Sequence, residues 1–71
     1  MKTLERQLAM IVASMVYGEV VKAEYQGVRP EEVVRTVCRR GYSQCLVSEA
    51  LTNLIERGKV DIGVDSRLRS N

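Results

Sequence analysis

The sequence contains no histidine, tryptophan or phenylalanine, and its only proline is Pro30. Without histidine the commonest general base is missing, and so are the usual zinc-ligand sets. Cys38 and Cys45 are the only cysteines, and neither has a neighbouring base that would generate a thiolate. Glu31 and Glu32 are adjacent carboxylates, but two acids opening a helix are ordinary partners of its dipole. Neither a glycine-rich phosphate loop nor calcium-loop spacing occurs. These gaps imply a protein that is not an enzyme and needs no metal or cofactor. Tyr17, Tyr25 and Tyr42 are the only aromatic residues, too few for a base-stacking platform on single strands.

Long apolar runs are also missing. The segment Leu8–Tyr17 is half the length of about 20 residues that a membrane-spanning helix requires. Lys2 and Arg6 ahead of it give the outline of a secretory leader. Glu5 interrupts the basic region, however, and no small-x-small cleavage site follows. The segment therefore reads as structure, and the protein as cytoplasmic with free thiols. Cys38 is then a small packed hydrophobe, with a Cys38–Cys45 redox switch as the lesser alternative.

What is present fits one small domain. Seventy-one residues support a core worth only about 3–5 kcal/mol, which makes self-association a natural supplement. The net charge of +2 is small. It is unevenly spread, with seven basic and four acidic residues in 33–71 against four and five in 1–32. Such an asymmetry is the electrostatic footprint expected of a nucleic-acid-binding half.

Periodicity divides the chain into three helices and a hairpin. Residues 3–26 form the first and longest helix, with Thr3 as N-cap and Gly27 ending it. Leu4, Leu8, Ile11, Val12 and Met15 make one apolar stripe that runs out near Gly18. Met10, Ala13, Tyr17, Val20 and Val21 make a second. Two short helices and a hairpin are too little to cover both, so either the helix bends at Gly18 or the second stripe meets another protomer. The second helix covers 30–40. Pro30 is its N1 residue, Val33, Val34, Val37 and Cys38 its inward face, and Arg39 and Arg40 its last turn. The third, 43–57, is capped by Ser43 and closed by Gly58. Val47, Ala50, Leu51, Leu54 and Ile55 face inward there, with Leu51 at the centre of the core. The pattern then alternates through Val60, Ile62 and Val64, so that 59–71 reads as a hairpin turning at Asp65-Ser66.

The run Gly41-Tyr42-Ser43, Val47, Ala50-Leu51, Leu54-Ile55, Gly58-Lys59-Val60 resembles the third helix and first wing strand of winged helix-turn-helix domains. With the second helix and the last strand, the resemblance covers roughly residues 29–71. It implies a mainly α fold with a small β-hairpin: three helices, the first of them long, and a two-stranded wing. It also implies binding to double-stranded DNA, by a small dimeric transcriptional regulator. Gln44 and Ser48, with Cys45, would then reach base edges from the start of the third helix. Ser43 would face a phosphate, and Thr52 and Asn53 the backbone. Arg39, Arg40 and Lys59 would add phosphate contacts, and Arg67 and Arg69 would reach out from the wing. The homodimer contact would come from Met10, Ala13, Tyr17, Val20 and Val21. Glu49 and Glu56, on the same face of the third helix, oppose this reading. They motivate the alternative of a winged-helix protein-interaction module, a small inhibitor or adaptor that does not bind DNA.

Overall fold

Val12, Val16 and Val20 are completely enclosed, and their four-residue spacing fixes which side of the first helix is buried. The computed structural model describes residues 2–71, with side chains from Arg6 onward. Helix α1 is Lys2–Lys22, a 3-10 turn spans Glu24–Gln26, α2 is Pro30–Cys38 and α3 is Gln44–Glu56. Strands β1, Val60–Ile62, and β2, Leu68–Ser70, pair antiparallel. The described residues are thus mainly helical with one two-stranded hairpin. Among them, no helix is long and apolar enough to cross a membrane.

The buried line of α1 runs between the two stripes expected from sequence. It takes Val12 from one, Val20 from the other and Val16 from neither. Helices α2 and α3 and strand β2 converge on one side of α1, so a single row of side chains is sealed and the flanking rows are only half covered. Val20 is therefore core and is withdrawn from the dimer contact. Ala13 and Tyr17 are half-buried and pack against the same core, which leaves Met10 and Val21 exposed. The helix runs unbroken through Gly18. It starts at Lys2, so Thr3 lies within it rather than capping it, and the side chains of Thr3 and Leu4 fall outside the described residues.

Helix α1 ends earlier than the expected 26: its buried line stops at Val20, and the next position on that line is the exposed Glu24. Glu24 turns to a positive φ of 56°, and Gly27 adopts φ 79°, ψ 162°. This brings Val28 alongside β2. Val28 N–H donates to Leu68 O at 3.0 Å, and Leu68 N–H donates to Val28 O at 2.7 Å. The hairpin thereby gains a one-residue third segment, in the order Val28, β2, β1.

Pro30 opens α2 as expected, and Val33 and Val37 are buried. The helix stops at Cys38, two residues short of the expected 40, and Arg39-Arg40-Gly41 form the turn that follows. In α3 the Ser43 hydroxyl accepts from Leu46 N–H at 3.2 Å. Val47, Ala50, Leu51 and Leu54 are buried as their spacing requires, while Ile55 is half-buried. The helix closes with Gly58 at φ 75°. Gly58 N–H donates to Ile55 O and Lys59 N–H to Leu54 O, each at 3.0 Å, the paired bonds of a Schellman ending.

The hairpin loop has three residues, not two. Gly63 N–H donates to Arg67 O and Ser66 N–H to Gly63 O, each at 2.9 Å. Ser66 takes φ 64°, so Val64-Asp65-Ser66 form a turn ending in a left-handed residue, a common three-residue hairpin connection. The far end of the hairpin is pinned as well: Asn71 N–H donates to Lys59 O and its side-chain amide to Gly58 O.

Candidate nucleic-acid interface

Burial of Val47, Ala50, Leu51 and Leu54 leaves Gln44, Cys45, Ser48, Glu49, Thr52, Asn53 and Glu56 on the uncovered side of α3. That side follows from the sequence: four apolar residues at i, i+3, i+4 and i+7 hold the helix in one rotational setting. Ser43, Gln44 and Cys45 are exposed where α3 begins, and Ser48 and Thr52 continue outward from there. Asn53 lies to one side. Together with Glu49 it borders a groove of about 150 Å³ floored by Ala9, Met10, Ala13, Ala50 and Leu54, and so it faces α1 as much as solvent.

The charges on this surface are ordered along the helix. Arg39 and Arg40 are exposed just ahead of α3, and Arg57 and Lys59 just after it. Glu49 and Glu56 are the only charged residues within Gln44–Glu56. Arg57 had no place among the expected contacts, although its position next to the closing glycine is visible in sequence. It lines the α1–α3 groove and also an adjoining one beside Met10, Ala13, Tyr17 and Lys59. Both thiols are free, Cys38 half-buried and Cys45 exposed.

Arg69 departs most from expectation. Its guanidinium donates to both carboxylate oxygens of Asp65, at 2.8 and 3.1 Å. It also donates to the main-chain carbonyls of Tyr25, at 2.7 Å, and Gln26, at 3.3 Å. Four of its five N–H donors are therefore spent within the chain, tying the hairpin to the segment that follows α1. It is withdrawn from the DNA-contacting set, because moving it to a phosphate would strand Asp65 and two carbonyls. The signal was available in sequence: opposite charges four residues apart across a turn. Arg67 keeps its side chain free of hydrogen bonds among the described residues, while its N–H donates to Asp65 Oδ1 at 3.1 Å.

Compared with family models, curated proteins and solved structures, the chain has no match. What this surface can do therefore rests on its own chemistry.

The Arg69 hydrogen bonds, then the Arg67 N–H, hold the Asp65 carboxyl well below the usual carboxylate range, and Arg69 is raised in return. A carboxylate whose native pKa is depressed adds stability above its unfolded pKa of about 3.9 and loses it as pH falls toward the native value. Melting temperature followed from pH 7 down to pH 2 should therefore fall less steeply for Asp65→Asn than for the wild type. Parallel curves would mean that the clamp does not hold in solution.

Proposed function

We propose that this chain is a winged helix-turn-helix domain that binds double-stranded DNA, as a small dimeric transcriptional regulator, with α3 in the major groove. The order of helix, one-residue bridge, two helices and hairpin supports that fold. The observation that carries the function is the charge order along α3: exposed cations at both ends and an uncovered polar face between them. Thirteen residues span about 20 Å at 1.5 Å per residue, more than the roughly 12 Å width of the major groove. Arg39 and Arg40 then fall over one phosphate strand, and Arg57 and Lys59 over the other. Gln44 and Ser48 lie over base edges, where Gln pairs with adenine, and Thr52 lies toward the backbone. Glu49 is repelled by phosphate everywhere except against a donor such as cytosine N4, so it restricts which sequences are accepted.

The test is a salt series on specific and scrambled duplexes. Replacing Arg39 and Arg40 with Ala should weaken binding to both duplexes alike and flatten the salt slope by about 0.9 per lost phosphate contact. Gln44→Ala should keep the slope and reduce the preference for the specific duplex by about 1–3 kcal/mol. A chain that binds neither duplex above background ends the DNA reading. The protein-interaction module, favoured by the absence of Lys and Arg within α3 itself, then replaces it.

A further inference from the structure

Where α1 and α3 meet, Ala9 and Ala13 on one helix stand beside Ala50 on the other. Each side chain ends at Cβ, so the flank of the contact is left as a groove of about 150 Å³. Leu54 continues its floor, and Leu46 and Met10 wall it. Met10 is 69% exposed, an unbranched side chain able to fold over an apolar body that enters. An apolar cavity of about 150 Å³ takes up a benzene ring. Past Arg57 the groove opens into a second one along Ser14, Tyr17 and Lys59.

The charges on the rim are segregated. Glu49 borders the first groove only, Arg57 borders both, and Lys59 lies beyond it. Glu49 and Arg57 are roughly 12 Å apart along the helix at 1.5 Å per residue, too far to neutralise each other. Arg57 and Lys59 are exposed and form no ion pair with any described residue.

We infer that this groove binds a small monocarboxylate with a ring-sized apolar body, the body over Ala9, Ala13 and Ala50 and the carboxylate on Arg57. Charge complementarity chooses the occupant. A guanidinium presents a fork of donors that matches a carboxylate, and Lys59 adds a second cation on the same side. The apolar floor gives nothing to an anion that has no hydrophobic part. Glu49 repels a second negative charge, so an acid with one carboxylate fits better than a dianion. The site does not depend on whether the protein binds DNA. Under that reading Arg57 also serves a phosphate strand, so the bound carboxylate lowers affinity for the duplex.

The probe is phenylacetate, titrated into the DNA-free protein and followed by NMR of the backbone amides. Saturable shifts should cluster at Ala9, Ala13, Ala50 and Arg57. Acetate, which has the carboxylate but no ring, should bind at least tenfold more weakly, and so should phenylacetamide, which has the ring but no charge. Arg57→Gln should weaken phenylacetate by a similar factor and erase its advantage over the amide. Ala9→Leu fills the groove with a helix-favouring side chain and should weaken both ring compounds. The comparison of the three probes on the wild-type chain stands even where a variant fails to fold. Acetate shifting the same amides at the same concentrations reduces the site to an anion contact and overturns the inference. So does a phenylacetate titration that never saturates. Shifts of these amides that follow protein concentration without any probe place a second copy in the groove and overturn it equally. Because no titration contains DNA, such a failure leaves the DNA reading to its own test.

Discussion

Leu68→Ala should leave most of the protein unfolded or close to it at room temperature. Leu68 heads the wholly enclosed side chains, and its main chain exchanges both hydrogen bonds with Val28. Truncating a buried leucine to alanine costs about 2–5 kcal/mol. That is comparable to the whole stability of about 3–5 kcal/mol that a core of this size supplies. For so small a domain each kcal/mol moves the melting temperature by about 4–8 °C. A urea titration followed by circular dichroism should therefore show a shortened or missing native baseline. An unchanged midpoint would take the hairpin out of the core and leave a three-helix protein with an ornament.

Gly27→Ala should be nearly as damaging, although it removes nothing. Its φ of 79° and ψ of 162° belong to a region essentially reserved for glycine, where another residue costs about 1–3 kcal/mol. The added Cβ would lie 2.9 Å from the Cβ of Arg67 and 3.2 Å from the main-chain oxygen of Leu68. Neither is the free end of a flexible side chain, so relief requires moving Val28 away from β2. Gly58→Ala is the control: φ is also positive, at 75°, but a Cβ there meets nothing within 4 Å. Both variants place alanine at a positive φ, so the extra loss at Gly27 reports the collision together with its glycine-only ψ. If Gly27→Ala melts no lower than Gly58→Ala, then Val28 is not held against the hairpin as described.

Elements whose spacing is self-contained were legible in the sequence. The bounds of α3, its Ser43 cap, its Gly58 ending and its buried residues all follow from contacts within one helix. So does the Pro30 start of α2. What failed depended on segments distant in sequence. Nothing local to α1 announces that its sealed line is Val12, Val16 and Val20, because the side is chosen by where α2, α3 and β2 converge. Gly27 was recognised as a helix ending, yet its role is to let the chain pass close to Arg67 and Leu68. In the candidate interface, the exposed residues of α3 emerged correctly once its buried face was known. Arg69 did not: Asp65, four residues before it, was open to reading, but charge and strand alternation describe where a side chain leaves the backbone and not which main-chain groups capture it. The carbonyls of Tyr25 and Gln26 are main-chain groups, and main-chain acceptors leave no trace in residue identity.

The bridge between Val28 and Leu68 has a consequence for the order of events in folding. Helix α3, its cap and its closing turn can form from neighbouring residues, but the bridge joins segments far apart in the chain and must await closure of everything between them. Substitutions at Val28 or Leu68 should therefore quicken unfolding much more than they slow folding, the mark of contacts made after the transition state. The amides of these two residues would exchange with solvent at the rate at which that late closure comes undone.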